Sequence, residues 1–113
     1  GRDTYNSMRS INAIEICPLE YMRGRNFHNS FMILDEAQNA TFEQIKMFLT
    51  RIGLGSKAVI NGDLDQTDLR GESGGLDCCM SRLSGLRGLA ICELDQSDIV
   101  RNGIISSILD RLR

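Results

Sequence analysis

Two short stretches of this chain carry residues that could do chemistry on a phosphate. In the first, the apolar run Phe31-Met32-Ile33-Leu34 leads into Asp35-Glu36-Ala37-Gln38-Asn39; in the second, Ala58-Val59-Ile60 leads into Asn61-Gly62-Asp63-Leu64-Asp65-Gln66. An unbroken apolar run of this length reads as a strand buried on both faces, with the following acids placed where the chain leaves the sheet. Open α/β sheets bind their ligands at that edge. A carboxylate there, Asp35, can hold Mg²⁺ through the ion's water shell, and its neighbour Glu36 can orient or deprotonate an attacking water. This is a Walker B arrangement. Gln66, with Asp63, supplies an amide that could touch a γ-phosphate and report its loss. A buried strand that merely stops at Asp-Glu would look the same, so either stretch alone decides little. The two in this order and this far apart are more specific.

Bringing the two strand ends together is the task of what lies between them. Thr41-Phe42-Glu43-Gln44 has the capping-box pattern, and Phe42, Ile45, Phe48, Leu49 and Ile52 follow at spacings of three and four. That spacing predicts a helix with one apolar face, stopped by Gly53 and Gly55. Strand, helix and strand then form a right-handed crossover with both strand ends on one edge of the sheet.

The flanking segments read as follows. Tyr5 to Ser10 is polar and reads as loop, and Ile11 to Cys17 is a mostly apolar run ended by Pro18, predicted as a strand. Leu19 to Asn29 is a turn or short helix broken at Gly24; its Arg23 and Arg25 are either solvated or in contact with phosphate. Beyond the second strand, Asp68 to Gly75 is a loop rich in glycine and charge. A helix is predicted from about Gly75 to Leu83, with Leu76, Cys79, Met80 and Leu83 inward. Leu89 to Leu94 reads as a last strand. A final helix from about Asn102 to Leu112, capped by Asn102, is expected to bury Ile104, Ile105, Ile108, Leu109 and Leu112. Alternating strands and helices with short links predict an α/β fold, a parallel sheet with flanking helices.

With 113 residues the chain is one domain at most, and small for a nucleotide-binding α/β domain. It begins Gly1-Arg2-Asp3 without an initiator Met, and a piece of a longer chain is expected. A net charge of −2 rules out a bulk basic field, so any nucleic-acid contact must be local. No apolar run approaches membrane-spanning length and no leader pattern is present, so a cytoplasmic protein without membrane contact is expected. Cys17, Cys78, Cys79 and Cys92 lack metal-ligand spacing and are expected as reduced, mostly buried thiols. The pair Cys78-Cys79 reads as helix packing, and His28, between asparagines, as a surface loop residue.

The chain resembles the C-terminal half of a PhoH-like protein, a family of P-loop ATPases akin to superfamily 1 helicases. The resemblance rests on Tyr21-Met22-Arg23-Gly24-Arg25, on Leu34 to Asn39, on Lys46 to Gly53, on Gly62-Asp63 with Gln66 and Asp68-Leu69, on Ser73-Gly74 and on Asp98-Ile99-Val100-Arg101. It runs from about Ile14 to Leu112 and implies a partial P-loop NTPase (RecA-like) domain that binds and hydrolyses ATP with Mg²⁺. It further implies Asp35 as the Mg²⁺-side acid, Glu36 as the residue positioning the attacking water, and Gln66 with Asp63 as γ-phosphate sensor. Gln38 is similar to the helicase glutamine that couples nucleotide state to the site, and Arg101 is the candidate charge-stabilising finger, with Arg23 on the nucleotide side. The family forms rings, so a homo-oligomer with Arg101 acting across a subunit boundary is implied, and RNA or single-stranded nucleic acid is the implied partner besides ATP.

Two departures stand out. No stretch matches GxxxxGK[ST], the loop that cradles β- and γ-phosphates, so these residues hold half a site. Asn102-Gly103 stands where the family usually has His-Pro. Two other readings stay open: a catalytically degenerate interaction module of the same fold, and a Mg²⁺-dependent phosphoesterase or nuclease built from Asp35, Glu36, Asp63, Asp65 and Asp68.

Overall fold

A computed structural model describes residues 1–11, 13–66, 74–98, 100 and 102–113. It divides into two compact units, Gly1–Leu83 and Ser84–Arg113. In the first unit, α1 (Arg2–Ser10), β1 (Phe31–Leu34), α2 (Phe42–Leu49), β2 (Lys57–Ile60) and α3 (Gly75–Leu83) follow in order; the second carries α4 (Gly103–Leu112). Short 3-10 turns cover Leu19–Tyr21, Ala37–Asn39 and Gln96–Asp98.

Strands β1 and β2 pair in parallel, Phe31 opposite Lys57 through Leu34 opposite Ile60. The α/β expectation therefore holds, and the arrangement is compatible with part of a P-loop-type domain. Parallel neighbours need a crossover between them, and α2 supplies it. The capping box closes as predicted: Gln44 N–H donates to Thr41 Oγ1 at 3.2 Å and Thr41 N–H to Gln44 Oε1 at 2.9 Å. The helix ends at Leu49 rather than running on to Ile52. Thr50 turns its hydroxyl back to the carbonyls of Lys46 and Met47, and Ile52 leaves the helix to form a parallel bridge with Phe27. A Cβ on Gly53 would lie 2.6 Å from the Phe27 carbonyl oxygen, so the residue after that bridge has room only for glycine.

The core of the first unit gathers Met32 and Leu34 of β1, Ala37 and Ala40 of the following turn, Ile45 and Phe48 of α2, Leu76 and Cys79 of α3, and Met22. Met80 and Leu83 pack against it, as the α3 pattern predicts, and burial raises the Cys79 thiol pKa. Helix α3 begins hard against the start of α2. A Cβ on Gly75 would sit 2.7 Å from the Ala40 carbonyl oxygen and still closer to Thr41 and Phe42 backbone atoms. Arg82, one turn from the end of α3, lies over the Phe42 ring, 5.3 Å from its centroid.

Several expectations fail, each for a physical reason. Tyr5 to Ser10 is helical, not loop; α1 buries nothing, and its Asp3 in the first turn and Arg9 in the last complement the helix dipole. Ile11 to Cys17 forms no strand among its described residues. The amides of Ala13 and Ile14 turn back onto the Met8 carbonyl instead of meeting a neighbouring strand. Strand β1 is buried on one face only, since Met32 and Leu34 are covered while Phe31 and Ile33 are about two-thirds exposed. Among the described residues nothing packs over its other side.

In the second unit, Leu89 to Leu94 pairs with no strand and is exposed, Leu94 to 83%. Helix α4 forms as predicted, with Asn102 Oδ1 accepting from Ile104 N–H at 3.1 Å, but Ile104, Ile105, Ile108, Leu109 and Leu112 are all exposed rather than buried. The thiols are free, but only Cys79 is buried; Cys17 and Cys78 are half-buried and Cys92 exposed. No helix among the described residues is long and apolar enough to cross a membrane.

Candidate phosphate-site half

The chain leaves β1 through two acids and turns sharply. Glu36 takes a left-handed backbone conformation, φ 54° and ψ 39°, which costs a non-glycine residue on the order of 1–3 kcal/mol and marks functional turns more often than ordinary ones. The Asp35 carboxylate braces this turn by accepting from Glu36 N–H at 3.0 Å. The 3-10 turn Ala37–Asn39 follows and carries Gln38 into the interior, 3% exposed.

The β2 end is laced to this turn. Asn61 N–H donates to the Leu34 carbonyl at 2.9 Å and the Asn61 carbonyl accepts from Ala37 N–H at 2.9 Å, which continues the ladder one step past the last strand pair. The Gln38 side chain then spans the gap. Its Nε2 donates to Glu36 Oε2 at 2.7 Å, and its Oε1 accepts from Asp63 N–H at 3.0 Å. Asp63 in turn holds the next turn, accepting from Gln66 Nε2 at 2.9 Å through Oδ2 and from Asp65 N–H at 2.9 Å through Oδ1.

These residues line one cleft of about 260 Å³: Asp35, Glu36, Gln38, Asn61, Gly62, Asp63 and Gln66. The fold thus brings together Asp35, Glu36, Gln38, Asp63 and Gln66, five residues the sequence singled out. Arg23 is exposed in the turn after Leu19–Tyr21 and does not line the cleft. Its neighbour Arg25 is engaged elsewhere: both guanidinium nitrogens meet Glu15, at 2.8 and 2.9 Å, and the group lies 4.6 Å from the Phe27 ring centroid. Arg101, Asp68, Leu69, Ser73 and Ile99 lie outside the described residues.

Sequence reasoning gave Asn61 and Gly62 no role of their own. Asn61 is the register partner one step beyond Leu34 and Ile60, the position matching Asp35, and that equivalence was the available signal. Gly62 is needed for closeness. A Cβ there would meet Leu76 Cδ2 at 2.5 Å and the Gln38 N and Oε1 at 3.1 and 3.2 Å.

The electrostatics of the cleft are one-sided. Three of its lining residues are carboxylates and none is basic. A polyphosphate enters such a cleft only with cationic help, and Mg²⁺ meets that need through one or two carboxylates, its own waters and phosphate oxygens rather than a protein cage. In keeping with that mode, no three histidine, cysteine or acidic side chains among the described residues converge as a metal cage.

The family model described as PhoH-like protein matches residues 1–113. A PhoH-like protein of Bacillus subtilis (strain 168) is 46% identical over 111 residues, covering 97% of this chain and 35% of that protein. The PhoH-like protein of Mycobacterium tuberculosis (strain H37Rv) is 47% identical over 104 residues, 91% of this chain and 30% of its own. Protein PhoH of Escherichia coli (strain K12) is 43% identical over 100 residues, 88% and 28% respectively. The chain spans about a third of the length of the curated relatives it matches. With its whole length matched by the family model and its strand-end turns built as described, the chain belongs to the PhoH-like protein family.

Proposed function

We propose that these residues form the acid and sensor half of an ATP-hydrolysing site. The observation that carries this reading is the convergence of Asp35-Glu36 and Asp63-Gln66 at one end of a parallel strand pair, tied by the buried Gln38 amide. Asp35 would hold Mg²⁺ through its water shell, and the ion when bound would neutralise charge on the phosphate oxygens. Glu36 would orient a water and accept its proton as the water oxygen bonds to the γ-phosphorus; the bridging P–O bond breaks and its electron pair leaves with ADP. Gln66, held by Asp63, would contact the γ-phosphate. Arg101 would stabilise charge on the transferring group, from its own or a neighbouring subunit, and Arg23 would contact the nucleotide from outside the cleft.

Because no GxxxxGK[ST] loop is present in the 113 residues, they should hydrolyse ATP hardly at all by themselves. The whole protein is proposed as a cytoplasmic ring of identical subunits that acts on RNA or single-stranded nucleic acid. In the full-length protein, Glu36→Gln should keep Mg-ATP binding and lower single-turnover hydrolysis by roughly 10²- to 10⁴-fold, because an amide cannot take the proton. Asp35→Asn should weaken Mg²⁺-dependent binding as well. Unchanged hydrolysis in Glu36→Gln would remove the catalytic reading and leave an interaction module of the same fold.

A further inference from the structure

The Gln38 side chain is the largest polar group buried in the first unit's core, and its two amide atoms face two different turns. On one side its N–H₂ holds the carboxylate of Glu36, whose own backbone is in the left-handed region; on the other its carbonyl oxygen takes the Asp63 amide proton. An exposed glutamate at a strained turn has many rotamers open to it. A short hydrogen bond from a buried, packed donor removes most of them.

We infer that Gln38 is a positioning residue that sets the Glu36 carboxylate and makes its place depend on the Gly62-Asp63 turn. The inference rests on the hydrolytic reading of this cleft. One rigid amide shared by both turns means that a shift of the Asp63 backbone moves the donor that Glu36 relies on. Gly62 keeps the coupling tight, because any side chain there would push on Gln38 itself. A ligand that draws the Asp63-Gln66 turn toward itself would thereby also re-aim Glu36, with no contact of its own to that residue.

A double-mutant cycle in the full-length protein tests this with Mg-ATP as the probe, reading nucleotide affinity, single-turnover hydrolysis and melting midpoint for Gln38→Met, Glu36→Gln and the double variant. Gln38→Met fills the same space without either hydrogen bond. It should bind Mg-ATP within about threefold of wild type and hydrolyse it on the order of 10- to 100-fold more slowly, the usual cost of losing a group that orients a reacting residue. The double variant should be no slower than Glu36→Gln alone, because a residue that works only through Glu36 has nothing left to position. Losses that multiply in the double variant, or a Gln38→Met enzyme of wild-type rate, overturn the inference while the slow Glu36→Gln enzyme leaves the hydrolytic reading intact. Should Glu36→Gln itself hydrolyse at wild-type rate, that reading falls and the inference with it. If Gln38→Met does not fold, Gln38→Glu takes its place in the same cycle, since it keeps the size and the acceptor for Asp63 N–H and loses only the donor to Glu36.

Discussion

Phe31-Leu34 and Leu89-Leu94 are runs of similar apolar character, and only the first becomes a strand. Phe31-Leu34 has a parallel neighbour in register, and α2 and α3 supply the residues that cover Met32 and Leu34. Leu89-Leu94 has no strand partner among the described residues and stays extended and exposed. Strand propensity describes how well a side chain fits a pleated, half-buried surface, so it has no effect where that surface is missing. The same contrast separates the helices. α2 buries Ile45 completely, whereas α4, equally amphipathic in sequence, buries none of its apolar residues.

The largest expected effect compares the last residues of the two runs. Leu34→Ala removes a side chain that is 8% exposed and should cost about 2–5 kcal/mol in urea unfolding; Leu94→Ala, at 83% exposed, should change stability by less than about 0.5 kcal/mol. Equal losses at both positions would break the contrast, because they would require Leu94 to be covered.

A middle-sized effect comes from the helix caps. Thr41→Ala should lower global stability by about 1 kcal/mol, since the capping box belongs to a helix whose face is locked in the core. Asn102→Ala removes an equivalent cap from α4, yet it should loosen only that helix. Amide exchange near Ile104 should speed up while the unfolding midpoint of the first unit stays where it was. A shared drop in midpoint for both variants would show that the two helices melt together.

The smallest effect asks whether charge, rather than burial, distinguishes the regions. In the first unit the hydrogen bond from Arg25 holds the Glu15 carboxyl below the usual glutamate range, and in the second the hydroxyl and amide of Ser97 do the same for Asp95. Both pKa values are depressed on folding, so each contribution is present above the unfolded pKa and is lost as pH falls through the folded one. Both groups are fully exposed, so the gain is small and weakened by salt. NMR titration should place Glu15 below the peptide value of about 4.3 and Asp95 below about 3.9, with both shifts shrinking in 1 M salt. An unshifted Asp95 beside a shifted Glu15 would mean that local order as well as burial fades in the second region.

Much of the cleft was legible before any coordinates. Asp35, Glu36, Asp63 and Gln66 follow apolar runs joined by one amphipathic helix, and a right-handed crossover between parallel neighbours leaves one place for the two ends to meet. The cap at Thr41, the α3 boundaries and the glycine at its start were legible too, because capping and helical periodicity are local, set by atoms three or four residues apart.

What the sequence determined by itself, then, was the set of local elements and which acids would stand at strand ends. Tertiary structure alone decided which apolar runs found a partner. Ile11-Cys17 and Leu89-Leu94 have strand-like composition, but a ladder needs a second backbone and a covered face, and neither can be read from the run itself. Tertiary structure also decided the use of Gln38. Its type and position suggested a group facing the ligand; only the packed turns put it 3% exposed between Glu36 and Asp63, where a buried amide must satisfy both its donor and its acceptor.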